Sequence, residues 1–385
     1  MTSPFEYGRE LPSAELVDRH DEVQQVIDII QNGGRLFLIG PRRFGKTSIL
    51  RAAAERARDA GAVVLRYNAE AYPTLTTLAE RIVADAAQHL SGPLQKVGRK
   101  VRDTFGALRP QLSYDPLTDS FSATLTAAAQ ERSQPALLAE TLDGLNQLAA
   151  SSPHPVALII DEFQRVVEDG GHVAEGQIRA AVQAHDHVGY VFAGSKTRML
   201  TEMTGDERRP FYRLGERRFI GAIPRSDFRP FLVAGFTQGQ ITLDSSGAEA
   251  ILDLAEDVPY NVQRLAHACW TTHAGTSAPL SSAEVEAVLD TVVRRDDPFY
   301  TQLWNGLTRT QQKALVAVAA ERGTGLYAGT VLRTYDLTSP SSMRTALKAL
   351  VDQGIAREEE AQGSIRYRLE DPFFAAWLRL FVAAP

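Results

Sequence analysis

The stretch "GPRRFGKTS", residues 40–48, fits G-x-x-x-x-G-K-[ST], with Gly40, Gly45, Lys46 and Thr47 in the four fixed places. Before it lies the apolar run "RLFLIG" (35–40), which reads as a buried strand. After it, "SILRAAAERARDAG" has helical composition and stops at Gly61. Strand, glycine-bounded loop and helix in that order make a phosphate cradle. The glycines let backbone amides approach phosphate oxygens, and the helix presents its positive N-terminal end. In such a loop Lys46 reaches the β- and γ-phosphates and the Thr47 hydroxyl serves magnesium. Pro41, Arg42, Arg43, Phe44 and Ser48 belong to the same wrap and count as nucleotide-binding positions.

"VALIIDEFQ" supplies a second half. Asp161, at the end of a buried strand, is a magnesium ligand candidate beside Thr47. Glu162 is placed to orient and deprotonate a water. That pairing favours hydrolysis over transfer to a bound acceptor. No asparagine is followed by lysine, so the Asn-Lys-x-Asp stretch of guanine-specific sites is missing and adenine is the expected base. Ser195 ends the strand in "FAGSK". In a sheet of this type that strand lies between those carrying the loop and the acidic pair, so its hydroxyl is a candidate γ-phosphate sensor. Beyond it, "GDERRPFYRLGERR" offers Arg208, Arg209, Arg213, Arg217 and Arg218 as candidates to reach a neighbouring subunit's γ-phosphate.

Composition sets the frame. The chain has 385 residues, 44% of them hydrophobic, which suits two or three domains with real cores. Its formal charge of -6 gives no global pull toward nucleic acid or an anionic membrane. Cys269 is the only cysteine, which leaves no internal disulfide or zinc cluster and fits a reducing cytoplasm. No apolar run approaches the length of a membrane span, and "MTSPFEYGRE" lacks the regions of a signal peptide. His185-Asp186-His187 has no third ligand nearby and reads as a polar turn. Trp270, Trp304 and Trp377 sit in apolar helical patterns and read as core.

The alternation of strands ("AVVLRYNAE", "PVALIIDEF", "VGYVFAGS", "RRFIGAIP") with helices implies a P-loop α/β domain over residues 1–225. Its parallel five-stranded sheet has helices on both faces. Residues 91–128 interrupt it. They hold a basic stretch with Lys96, Arg99, Lys100, Arg102 and Arg109, then "PQLSYDPLTDSFSATL", an expected β-hairpin. Residues 226–298 read as a helical lid, closed by the charged, proline-stopped join "RRDDPF". Residues 299–385 read as three helices and a hairpin turning near Gln362-Gly363, a winged helix-turn-helix.

The order of these blocks resembles the archaeal-type AAA+ ATPases of the STAND class. "ELVDRHDEVQQV" resembles the family opening F-x-x-R-x-x-E-L, which implies a nucleotide role for Arg19. "LFLIGPRRFGKTSIL", "LIIDEFQRV" and "YVFAGSKTRML" resemble its loop, acidic and sensor blocks. "RPFYRLGERRFIGAIP" resembles the block that implies Arg213 as the family arginine. "YRLEDPFFAAWLRLF" resembles its winged-helix ending. The lid motif Gly-x-Pro stands here as Asp257-Val258-Pro259: Pro259 is kept for packing on the nucleotide, and the glycine is replaced. Arg264 is a weak sensor candidate. The resemblance implies ATP and ADP with magnesium as ligands, slow hydrolysis, and a switch in how lid and winged helix are arranged.

Two functional classes follow. In one the protein is DNA-associated, with duplex DNA held by Arg344 and Lys348 on the third winged-helix helix and by Lys96, Arg99 and Lys100. In the other it is a signalling switch whose winged helix packs internally or binds protein. Self-assembly is an expectation of either, through Arg213. Residues 300–385 hold ten Lys/Arg against eight Asp/Glu, and the wing carries Glu358, Glu359 and Glu360, which would repel phosphates.

Overall fold

Alternating apolar runs and helical stretches become strands and helices nearly where the pattern places them. The computed structural model describes residues 2–12, 15–91, 94–106, 108–126, 132–275, 278–361 and 364–382. It divides into two compact units.

The first comprises Glu10–Pro41 and Gly45–Gly221. Its strands β1 (Arg35–Ile39), β2 (Val63–Asn68), β5 (Val156–Asp161), β6 (Val188–Gly194) and β7 (Glu216–Phe219) form one sheet in the order β2-β5-β6-β1-β7. All pairs are parallel. β5 and β6 are buried at every position, as expected of a parallel sheet covered on both faces. The helices are α1 (His20–Asn32), α2 (Lys46–Asp59), α3 (Leu75–Leu90), α4 (Leu94–Thr104), α5 (Gln134–Ala149), α6 (Gln164–Gln183) and α7 (Thr197–Gly205). Thr74 and Thr77 form a capping box at the start of α3, and Ser133 with Pro135 opens α5. The interruption after α3 is helix α4 followed by the antiparallel hairpin β3 (Pro110–Asp115) and β4 (Ser120–Leu125), as expected. The core is aromatic beside the acidic strand. Phe163 packs on Phe192 with centroids 4.4 Å apart, and both meet Phe211.

The second unit comprises Met1–Arg9, Arg42–Phe44 and Ala222–Pro385. Four helices occupy the stretch read as a lid: α8 (Arg225–Gln238), α9 (Ser245–Leu254), α10 (Pro259–His273) and α11 (Ser282–Arg295). The expected join "RRDDPF" is instead the start of a further helix, α12 (Asp297–Asn305). Pro298 sits in its first turn, where a missing N–H costs nothing, so it starts a helix rather than stopping one. Then come α13 (Arg309–Ala320), α14 (Gly329–Thr334) and α15 (Pro340–Asp352). The antiparallel pair β8 (Ala356–Ala361) and β9 (Ser364–Leu369) and a closing helix α16 (Pro372–Phe381) complete the winged helix. Ser339 caps α15 and Gly354, at φ 69°, follows its end, both as expected. The expected turn at Gln362-Gly363 lies outside the described residues. Trp270 and Trp377 are buried, while Trp304 is half-buried beside Trp377. Among the described residues no helix is long and apolar enough to cross a membrane.

Candidate nucleotide site

The loop begins where β1 ends. Gly40 donates its N–H to Gly194 O at 3.3 Å, and a Cβ on Gly40 would fall 2.6 Å from Ile220 O, so only glycine fits between β6 and the β7 exit. Gly45 takes φ 90°, conformational space that favours glycine, and α2 starts at the next residue. The first turn of α2 carries no acidic residue, so its positive end is not neutralised from within. Lys46 is buried, and its Nζ donates to Pro41 O at 2.9 Å. The Ser48 hydroxyl accepts from Leu11 N at 3.1 Å and so also ties down the N-terminal segment.

The acidic pair sits opposite because β5 lies two strands away from β1 with β6 between them. This is the expected order, with the Ser195 strand between loop and acids. Thr47 Oγ1 donates to Asp161 Oδ2 at 2.7 Å. Asp161 is 2% exposed, and burial pushes its carboxyl above the usual range against the pull of the Thr47 hydroxyl. Glu162 follows in the left-handed region at φ 52°. That turn is fixed on both sides: its N–H donates to Asp161 Oδ1 at 2.9 Å, and Phe163 N donates to Ala193 O at 2.8 Å. A non-glycine residue in this conformation costs about 1–3 kcal/mol and persists only where its surroundings enforce it.

Ser195 Oγ donates to Glu162 Oε2 at 2.7 Å. Gln164, absent from the residues expected above, completes the group. Its Nε2 donates to Glu162 Oε2 and, at 3.3 Å, to Ser195 Oγ. A Cβ on Gly194 would lie 2.2 Å from Gln164 Oε1, so this glycine leaves room for the carboxamide. The only signal available in sequence was the "DEFQ" spacing, which sets Gln164 two residues beyond Glu162.

Adjacent hard oxygen donors from Thr47 and Asp161 suit magnesium, and the glycine-lined turn with the bare helix end suits phosphates. Bound magnesium would offset phosphate charge there. Among the described residues no group of three or more His, Cys, Asp or Glu side chains could hold a metal. His185 is buried between Asp143 Oδ1 at 2.8 Å and Tyr190 at 2.7 Å, with both ring nitrogens engaged.

The remaining expected residues fall as follows. Arg19 is buried at the start of α1, donating to Gly221 O at 2.5 Å with Glu22 at 3.5 Å. Of the five candidate arginines, Arg208 pairs with Asp206, Arg209 with buried Glu175, and Arg218 with Glu22. Arg213 is exposed at φ 52°, over the Tyr212 ring and without a carboxylate partner among the described residues. Within the second unit, Arg43 lies 3.2 Å from Asp371 and over Tyr260, and Arg357 lies over Phe44. Arg42 is exposed. Pro259 opens α10. Arg264 is taken up by Asp296 and Phe373. Asp257, in the place of the family glycine, adopts φ 55°, the conformation glycine would favour. Arg225 holds it through a fork, Nε to Oδ1 at 2.8 Å and Nη2 to Oδ2 at 2.9 Å.

On the winged helix, Arg344 and Lys348 are exposed on α15. Lys100 turns back to Leu90 O at 3.0 Å, Arg99 is exposed, and the Lys96 side chain lies outside the described residues. The acidic wing needs correcting. Glu359 is paired with Arg357 at 3.0 Å and Arg368 at 2.9 Å, and Glu358 accepts from the Tyr367 hydroxyl, so the wing repels phosphate less than its sequence suggests. The Glu360 side chain lies outside the described residues.

Comparison with known proteins agrees with this architecture. The chain is similar over its length to a Walker-type ATPase of Pyrococcus abyssi, with a TM-score of 0.64 at 17% identity, covering 98% of this chain and 99% of that one. The ORC2 protein of Aeropyrum pernix, solved as ADPNP–ADP complexes, gives 0.51 at 16% identity and covers 96% of each chain. At such identities the likeness is one of fold. No curated protein matches. Residues 298–380 match the family described as "Probable winged helix domain". Residues 15–184 match the AAA ATPase domain, so the chain carries an AAA ATPase domain followed by a C-terminal winged helix domain.

Proposed function

We propose that the protein is an ATP-binding, slowly hydrolysing switch of the STAND type. The observation that carries this is the Thr47–Asp161 contact beside a Glu162 carboxylate held by Ser195 and Gln164. Phosphates take the loop amides and draw Lys46 from the Pro41 carbonyl. Thr47 and Asp161 hold magnesium. Glu162 accepts the proton of the attacking water, and its two donors keep it oriented. ATP and ADP then favour different arrangements of the helical and winged-helix regions. Lys46→Ala removes the charge on the β/γ-phosphates. Calorimetry is expected to show loss of tight ATP binding, and wild-type affinity in that variant would rule the assignment out.

A second reading, duplex DNA as partner, is favoured by Arg344 and Lys348, which are exposed one turn apart without carboxylate partners among the described residues. With few phosphates to neutralise, the log–log salt slope should be on the order of −3 to −5. Replacing both with alanine should weaken binding alike for all sequences. Fluorescence anisotropy at low salt that detects no ATP-dependent duplex binding would leave the switch without DNA.

A further inference from the structure

Away from the phosphate loop, the second unit encloses a cleft of about 490 Å³ bounded by the 253–257 segment, the end of α13, β9 and α16. That volume is in the range of small-molecule sites. Leu254, Val318, Leu369 and Pro372 supply apolar lining, and five arginines and three carboxylates supply the charge. The carboxylates are already taken. Arg225 holds Asp253 and Asp257, and Arg368 holds Glu256 at 2.6 Å. Arg322, Arg366 and Arg379 have no carboxylate partner among the described residues.

Single unpaired arginines are ordinary on a surface. These differ because a turn seated on β9 brings two of them to one cleft. Arg322 and Gly323 both take left-handed conformations, at φ 51° and 72°. Gly323 O accepts from Tyr367 N at 3.1 Å, and a Cβ at Gly323 would fall 1.6 Å from Tyr367 O. The turn is thereby seated on β9, and Arg366 Nε donates to Arg322 O at 2.8 Å. The Arg366 side chain is thereby seated against the Arg322 main chain, and Arg379 lines the same cleft from α16.

We propose that this cleft is a second ligand site, independent of the phosphate loop, for a small phosphorylated molecule. Arg322, Arg366 and Arg379 bind its phosphates, for which guanidinium forks are suited. The floor of Leu254, Val318, Leu369 and Pro372 covers its apolar or aromatic body. That floor has no role against a bare nucleic-acid backbone, which favours a compact ligand over a duplex.

The test uses the full-length Lys46→Ala chain, methylanthraniloyl-ADP as fluorescent probe and inorganic pyrophosphate as competitor. Saturable binding should remain and be displaced by pyrophosphate. Adding Arg322→Ala, Arg366→Ala and Arg379→Ala should weaken it by roughly tenfold or more. Arg366→Lys, which keeps the charge, should retain part of the affinity with an unchanged melting temperature. No saturable binding in Lys46→Ala, or binding that the triple substitution leaves unaltered, overturns the proposal. So does a triple variant that loses only short-duplex binding, which would assign the arginines to nucleic acid. What Lys46→Ala does to the wild-type chain's tight ATP binding concerns the loop alone, so the two readings fail separately.

Discussion

In the sheet unit, Asp161 and Glu162 are held by the neutral donors Thr47, Ser195 and Gln164; in the second unit, Arg322, Arg366 and Arg379 line a cleft without a free carboxylate. Elsewhere the same residue types cancel each other, as in Arg225 with Asp257 and Arg209 with Glu175. Charge neutralised within the fold orders the chain. Charge without an opposite partner is what a ligand would meet, a cation at the proposed nucleotide site and an anion at the proposed cleft.

Gly323→Ala sets a Cβ 1.6 Å from Tyr367 O at a φ of 72°. It should cost on the order of 3 kcal/mol or more in the second unit. Denaturant melts of the full chain should show that loss while ATP affinity at the loop stays close to wild type. Equal stability would mean that the turn is not locked on β9. The smallest effect is expected at Asp257→Gly. Glycine relieves the left-handed strain but loses the half-exposed Arg225 fork, and the two should nearly cancel, to within about 1 kcal/mol. A large destabilisation there would show that the ion pair, not the backbone, sets the lid turn.

The sheet unit was the more legible of the two in sequence. Loop, acidic pair and Ser195 are each written in a few adjacent residues at strand ends, and a parallel α/β sheet brings strand ends together by its topology. Gln164 escaped because its meaning depends on Ser195, 31 residues further on, and on the space left by Gly194. In the second unit the helices were legible from their caps and apolar spacing. The arginine cleft was not: its members come from a turn, a strand and a helix with no shared pattern. The wing's Glu359 likewise reads as repulsive until Arg357 and Arg368 are seen beside it. Asp257 looks like a defect in a motif until its φ and its partner are known.

Glu162 is proposed to activate water at a site that binds ATP without its help. Glu162→Gln keeps size and hydrogen bonding but cannot take the proton, so it separates binding from chemistry. ATP affinity by calorimetry and hydrolysis in a single turnover should be measured on the same preparation. Affinity is expected to persist while turnover falls by roughly 10²-fold or more. Turnover near wild type with affinity intact would contradict the account, because another group would then be activating the water.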